Sequence, residues 1–168
     1  MGTSILPSGA GGGPGSLWAL VGAWSLAREI CHSDGRIDRF NGNCRFTRSG
    51  PRLLQDEDGW LETSEGRFQA TRRYVWAEAD GRLDVHFDDM RPFHSIPLGA
   101  SHPETVHLCP PDRYQVTYDF SEWPRWTTTW TVEGPRKAYE MRSRFIPEDH
   151  ARHLASTDTG VHKTDNTR

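Results

Sequence analysis

Apolar and polar residues alternate along most of this chain, in short segments separated by turn-forming residues. Residues 67 to 76 show the pattern clearly: aromatic residues and an alanine fill most of the even positions, and mainly polar residues fill the odd ones. A period of two is the period of a β-strand, whose successive side chains point to opposite faces. Turn signals such as Asp34-Gly35 and Asp80-Gly81 separate the segments, and no long amphipathic helix lies between them. The chain is therefore predicted to be all-β.

The strand-like segments number about eight to ten, and loops of about two to five residues join most of them. Connections this short favour antiparallel neighbours. An open sheet of so many strands would expose long edges, so we expect an up-and-down antiparallel barrel in which the first strand meets the last. A barrel of this size is either filled by side chains or holds one small ligand.

Local signals add detail to the predicted barrel. Residues 16 to 21 predict a short N-terminal helical turn, with the serine at its start as the cap. Gly42 lies inside a strand pattern and predicts a bend where the sheet curls. Asp58-Gly59 predicts a turn, which separates a strand at residues 52 to 56 from another at residues 60 to 63.

Composition predicts a single domain between two tails. Residues 1 to 15 are rich in glycine and are predicted to be a disordered tail, as are the polar residues 148 to 168. Residues 16 to 147 leave room for one β-barrel domain with its own core.

Charge and cysteine content narrow the classes of partner. The net charge is -3, and basic residues are scattered among acidic ones, so neither nucleic acid nor a membrane surface is expected as a partner. The three cysteines are odd in number and lack metal-type spacing, which favours reduced thiols and a cytoplasmic location. A small-molecule ligand is the expected partner, and the protein is expected to be a monomer or a homodimer.

The stretch from His107 to Tyr114 concentrates side chains of several chemistries at one predicted strand end. Pro110-Pro111 should end one strand at Cys109 and begin the next at Asp112 after a tight turn. Cys109 shares a strand face with His107 because the period is two. We therefore expect a candidate site here, joined by stretches of similar character at residues 88 to 94 and 132 to 139.

The first strand also carries a familiar motif. Gly22-Ala-Trp24 follows the short helical turn, and Arg142 and Arg144 lie on the last predicted strand. This combination resembles the lipocalin or calycin arrangement, in which a Gly-x-Trp opens the barrel and an arginine from the final strand packs on the tryptophan face. The resemblance implies a calycin-like barrel.

Five further motifs occur along the chain: Tyr74-Val-Trp76, Arg91-Pro-Phe-His94, His107-x-Cys109-x-x-Asp112-x-Tyr114, Trp130-x-Val132 and Gly134-Pro-Arg-Lys137. Together they resemble an uncharacterised bacterial and fungal domain family, from residue 17 to residue 146. That family tends to have Asp-Gly before the Arg-Pro-Phe-His run, where this chain has Asp89-Met90. It also tends to have Asp where this chain has Ala138, and loss of that Asp would count against activity if a reaction needed it. The resemblance implies a barrel and brings no established reaction.

The hypothesis we favour is a binding protein that holds one partly apolar small molecule in the barrel lumen. Aromatic side chains would form the walls, and polar side chains would fix the polar end of the ligand. The residues assigned to ligand binding are Tyr74, Trp76, Arg91, His94, His107, Cys109, Asp112, Tyr114 and Trp130.

An acid-base enzyme of the isomerase, cyclase or hydratase type is the second hypothesis. His94 or His107 would be the base and Tyr114 or Lys137 the acid, because histidine titrates near neutral pH and burial shifts the other pKa values toward it. Each residue also has a structural alternative, such as a surface ion pair for Lys137. A third hypothesis is a scaffold whose lumen is filled.

Other ligand chemistries are also considered. His94, His107 and Cys109 offer two imidazoles and a thiol to zinc, but their spacing is not that of a metal motif, and no metal is assigned. Haem has no supporting signature, and the cofactor is left unassigned. A carboxylate or phosphate could be recognised by an arginine, and Arg91 is singled out because it lies next to the His94 run. The arginines considered are Arg72, Arg73, Arg91, Arg136 and Arg142.

Overall fold

The computed structural model describes residues 12–149, which form a ten-stranded antiparallel sheet preceded by a 3₁₀ helix at Leu17–Leu20. The all-β, up-and-down barrel expected from the alternation is confirmed. Strands adjacent in sequence pair with each other, apart from β6 and β7. The strands are β1 Gly22–His32, β2 Ile37–Ser49, β3 Arg52–Thr63, β4 Gly66–Ala79, β5 Arg82–Phe87, β6 Pro92–Pro97, β7 Glu104–Cys109, β8 Asp112–Asp119, β9 Trp126–Glu133 and β10 Ala138–Pro147.

The sheet curls until β1 pairs with both β2 and β10. The order around the sheet is β6-β5-β4-β3-β2-β1-β10-β9-β8-β7, so β6 and β7 are its two edges. These edges lie next to each other, but no backbone ladder joins them in the part of the chain that the structure describes. The barrel is therefore nearly closed.

The helix closes one end of the barrel. Leu17 and Leu20 are buried there, and the Leu20 carbonyl accepts a hydrogen bond from Nε1 of Trp24 at 3.1 Å. The expectation that the Ser16 side chain caps this helix is wrong, since the hydroxyl makes no cap hydrogen bond. Instead, the Glu78 carboxylate accepts a hydrogen bond from the Leu17 amide at 2.8 Å. This bond satisfies one of the free N–H donors at the helix start.

The arginines of the last strand do not pack on Trp24. Arg142 and Arg144 are exposed on the outer face of β10, while the alternate residues Ser143 and Phe145 point inward and are buried. The ring of Trp24 instead contacts other aromatic side chains at the closed end of the barrel, Trp123 and Trp126. This part of the lipocalin resemblance is wrong, because the parity of the strand turns both arginines outward.

β3 is one continuous strand, and the turn expected at Asp58-Gly59 is wrong. Gly59 lies directly opposite Gly42 on β2, and a Cβ on Gly59 would lie 2.7 Å from the Gly42 Cα. The two glycines therefore let two backbones approach closely inside the curled sheet, which is the other common reason for glycine in a strand.

The predicted turn at Pro110-Pro111 is confirmed. Cys109 and Asp112 pair across it, and the peptide bond between the prolines is cis. Both flanking strands therefore run away from this turn side by side.

The predicted tails lie almost entirely outside the described residues, and the domain limits stay predictions. At the near edge of the first tail, Pro14 is buried and its carbonyl accepts a hydrogen bond from the Gly99 amide at 3.1 Å. Within residues 12–149 no helix has the length and apolar character needed to cross a membrane.

Candidate functional site

A wide cleft lies at the end of the barrel opposite the helix. Its volume is about 960 Å³, and we call it the mouth cleft. Strand ends and turns surround it, because β4, β5, β7 and β9 all carry residues to this end. Its principal wall residues are Arg72, Tyr74, Phe87, Phe93, His107, Tyr114, Trp130, Lys137 and Tyr139.

Three aromatic rings form the floor of the mouth cleft. The rings of Tyr74 and Phe93 stack with 6.0 Å between centroids, and Trp130 lies 5.1 Å from Phe93. The same three side chains also line a smaller cavity beneath them. This aromatic floor therefore separates the open cleft from the interior.

The inner cavity below the floor has a volume of about 20 Å³. That is room for roughly one or two water molecules. The lumen below the aromatic floor is thus nearly filled, while a separate pocket of about 100 Å³ lies beside Arg28 and Glu57, and the wide open space lies at the mouth.

A network of buried polar side chains runs along the inner wall of the barrel, from β10 to β4, beside the inner cavity. Arg28 donates two hydrogen bonds to the Glu57 carboxylate, at 2.8 and 2.9 Å, and a third to Oγ of Ser143 at 2.7 Å. Gln55 donates to Glu57 at 3.0 Å and accepts from Nε1 of Trp76 at 2.7 Å. Because each group has a partner, the barrel can bury this ion pair.

His94 and Tyr118 form a second buried polar pair. Nε2 of His94 lies 2.7 Å from the Tyr118 hydroxyl in a hydrogen bond. Burial, assisted by the nearby His107, lowers the pKa of His94 to about 3, and burial raises the pKa of Tyr118 well above its usual range. Both groups are therefore neutral at physiological pH. Nδ1 of His94 and Nε1 of Trp126 are buried without a hydrogen-bond partner among the described residues.

The rim of the mouth cleft carries a group of polar side chains around Tyr114. His107 lies beside it, with 6.1 Å between the ring centroids. Tyr114 raises the pKa of Lys137, first by charge and then by a side-chain hydrogen bond, and Asp112 adds to the effect. Nζ of Lys137 lies 3.6 Å from the Asp112 carboxylate. Phenol, ammonium and imidazole groups thus meet on one side of the cleft.

Two arginines of the cleft have different partners. Arg91 is exposed and donates through Nε to the Asp89 carboxylate at 2.6 Å. Arg72 donates through Nη1 to the Tyr74 hydroxyl at 3.0 Å. No carboxylate of residues 12–149 lies within 4.0 Å of the Arg72 guanidinium.

The barrel and its cleft occur on a chain whose residues 20–147 match the model of a family of unknown function, DUF6314. The chain belongs to this family. The uncharacterised family expected from the five motifs is thereby confirmed, and its bacterial and fungal distribution stays a prediction.

One solved structure shows a fold similar to that of this DUF6314 barrel. The S-type phycobiliprotein lyase CPES from Guillardia theta matches with a TM-score of 0.56 at 8% identity, over 78% of this chain and 89% of that one. A de novo designed fluorescence-activating β-barrel aligns with a TM-score of 0.39 at 14% identity, over 79% of this chain and 97% of that one. No curated protein matches the sequence.

Most of the site residues expected from the sequence line the mouth cleft of the DUF6314 barrel. His94 and Trp76 do not: both lie below the aromatic floor and line the inner cavity. Asp112 lies at the rim, where it pairs with Lys137. The expected residues on the cleft are Tyr74, Arg91, His107, Cys109, Tyr114, Trp130 and Lys137.

Sequence reasoning missed the buried ion pair. Arg28 and Glu57 occupy inward positions of β1 and β3, between apolar or buried neighbours of the same parity. A charged residue at an inward position of an alternating strand is the signal that could have found them. Arg72 carries the same signal on β4, at an inward position two residues before Tyr74. Among residues 12–149 no cluster of three or more metal-binding side chains occurs.

Proposed function

We propose that this protein binds one small, partly apolar molecule in the mouth cleft. The observation that carries the proposal is a cleft of about 960 Å³ with an aromatic floor and a polar rim. Ligand sites are typically concave, several hundred cubic ångströms in volume, and lined by apolar rings with a few polar groups. The mouth cleft meets all of these conditions.

The ligand position differs from the one expected inside the lumen. The inner cavity of about 20 Å³ is too small for anything beyond water, so the ligand body rests on Phe93 and Trp130 instead. His107 and Tyr114 then face the ligand from the rim, whereas His94 acts from below the floor through packing against Phe93, at 4.4 Å between centroids.

An acid-base enzyme is the second candidate, and the contact between Tyr114 and Lys137 favours it. Lys137 is exposed, and Tyr114 and Asp112 raise its pKa, so the expected shift toward neutral pH is wrong for this residue. As a permanent ammonium it would stabilise negative charge while Tyr114 or His107 moves the proton. His107 lies near enough to take part, while His94 is buried beneath Phe93. A reaction would therefore use the rim and not the buried histidine.

The test is retention of small molecules from a cell extract, read by mass spectrometry after the protein is washed and denatured. Wild type should retain at least one compound in a stoichiometric amount, and His107→Ala should retain less of it. His102→Ala is the matched control, because His102 is exposed near the closed end and pairs with Asp119. Equal retention by all three proteins would remove the mouth cleft as the site.

We further propose a cytoplasmic location and a monomeric or homodimeric state. The supporting observation is that Cys31, Cys44 and Cys109 are all free thiols. Two of them are exposed, which suits a reducing compartment. Intact-mass measurement of the protein from its host, with and without reductant, should show the three thiols unoxidised.

A further inference from the structure

Arg72 is the unusual cation of the mouth cleft. It lies on β4 at an inward position, directly opposite Glu57 on β3. Opposite positions on paired strands bring side chains within about 5 Å at Cβ, so Glu57 is the natural partner of Arg72. The structure uses Glu57 differently.

Glu57 is already saturated by other donors. Both of its carboxylate oxygens accept from Arg28, and Gln55 donates to one of them. Only 3% of the Glu57 side chain and 9% of the Arg28 side chain are exposed. Glu57 therefore makes no ion pair with Arg72, and its charge acts on Arg72 only from a distance, where it helps to raise the pKa of the guanidinium.

The other acidic groups of the cleft are also occupied or distant. Asp89 binds Arg91, and Asp112 pairs with Lys137. Asp88 also lines the cleft, where it is exposed and helps to raise the pKa of Arg73, and it makes no ion pair with Arg72. Arg72, which is exposed at the cleft wall, therefore has no carboxylate within 4.0 Å among residues 12–149.

The neutral neighbours of Arg72 cannot replace that partner. Burial raises the pKa of Tyr74, and burial and Tyr114 raise the pKa of Tyr139, so both phenols stay protonated near pH 7. Burial by itself lowers the pKa of Arg72, but Tyr74, Glu57 and Tyr139 together outweigh it, so that pKa is raised. The guanidinium is a permanent cation with one of its five N–H donors used, by Tyr74.

We infer that the ligand of the mouth cleft is a small organic acid whose carboxylate pairs with Arg72 while its flat apolar body lies over Phe93 and Trp130. This inference rests on the proposed binding function and names the ligand class. Arg72 lines the cleft and is bonded to Tyr74 of the aromatic floor, so the carboxylate and the ring meet their partners together. The planar guanidinium can donate two parallel hydrogen bonds to one carboxylate. A single cation without an acidic partner matches a ligand with one negative charge. Arg91, which sequence reasoning singled out, is already bound to Asp89.

The experiment compares naphthalene-2-carboxylic acid with naphthalene-2-carboxamide, which share a ring and differ in charge. Binding of each to the full chain is measured at pH 7 by ligand-observed NMR and isothermal titration. The acid should bind roughly tenfold more tightly than the amide. Arg72→Gln should remove this difference by weakening the acid alone, while Arg67→Gln, a control for charge on the same strand but away from the cleft, should keep it.

The two proposals fail in different ways. If wild type binds acid and amide equally, the carboxylate inference is overturned and the proposed binding function stands. If neither compound binds at millimolar concentration, the organic-acid inference is overturned, and the binding function is overturned with it only if wild type also retains no compound from the cell extract. Arg72→Lys is the variant that separates loss of charge from a folding defect, because it keeps the positive charge and loses the planar guanidinium. Its affinity for the acid should lie between those of wild type and Arg72→Gln. An Arg72→Lys protein as weak as Arg72→Gln toward both compounds would contradict the role of the charge.

Discussion

Arg72 lies directly opposite Glu57 on the neighbouring strand, yet the Glu57 carboxylate binds Arg28 on a third strand. The pairing joins β1 to β3 over the intervening strand β2 and holds Gln55 and Ser143 in place. It also leaves Arg72 at the cleft without a carboxylate. One buried ion pair thus affects both the stability of the barrel and the charge of its mouth.

Glu57→Gln should destabilise the protein strongly. The substitution leaves the Arg28 charge buried without its partner, which lowers the free energy of unfolding by about 3 kcal/mol. Urea unfolding measures the loss, and combining Glu57→Gln with Arg28→Met should recover part of it. Asp56→Asn is the matched control, since Asp56 pairs with Arg73 on the exposed face and its loss should leave stability nearly unchanged. Equal losses at the two positions would contradict the importance of burial.

The strand limits could be predicted closely wherever glycine or proline forms a turn. Asp80-Gly81 and Pro110-Pro111 define strand ends to the residue, because the first pair takes the left-handed conformation of a tight turn and proline has no N–H for a strand ladder. The turn predicted at Gly59 is absent, because this glycine serves the close approach of β3 to Gly42 on β2. A glycine in a turn and a glycine at a close approach of two strands can be told apart only when the residue on the paired strand is known.

The site could be predicted only in part, for a different physical reason. His107 and Tyr114 were found because they lie beside a turn in a short stretch of sequence. Arg28 and Ser143 are 115 residues apart and meet only after the barrel closes. The closure of the barrel decides which charged side chains form ion pairs. The spacing of residues along the sequence therefore could not show that Arg72 lacks an acidic partner in the described part of the chain.

The stability of the protein should fall in mild acid because of His94. Its pKa is lowered to about 3 in the folded protein, so between pH 6.5 and 3 the unfolded chain binds the extra proton. The free energy of unfolding therefore decreases as the pH falls through this window, by up to about 1.4 kcal/mol for each pH unit. Urea unfolding at several pH values from 7 to 4 measures this decrease. The free energy of unfolding should fall less steeply with decreasing pH in His94→Gln than in wild type. His102→Gln should keep the wild-type slope, because His102 is exposed; a wild-type slope in His94→Gln as well would contradict this assignment.

Met90→Gly should stabilise the turn between β5 and β6. Met90 has φ 67°, in the left-handed region that disfavours side chains, and the family resemblance places glycine here. Glycine removes this strain but also gives the unfolded chain more conformational freedom, which offsets part of the gain. The net effect should raise the free energy of unfolding by roughly 0.5 to 1 kcal/mol. Thermal unfolding measures the change. Asp80→Gly, at φ 51°, should gain less, because aspartate tolerates this conformation better than methionine; an equal or larger gain there would argue against strain at Met90.

The central claim is that the mouth cleft holds the ligand, and a thiol label can block that cleft directly. Cys109 is exposed and lines the cleft, whereas Cys31 is exposed on the outer face of β1 and does not line it, and Cys44 is buried. A pyrene maleimide is therefore attached to Cys109 in the Cys31→Ser protein and to Cys31 in the Cys109→Ser protein.

Mass spectrometry then compares the small molecules that each labelled protein retains from a cell extract with those retained by its own unlabelled form. The account predicts that the label on Cys109 removes the bound compound and that the label on Cys31 does not. Unchanged retention with the label on Cys109 would contradict it.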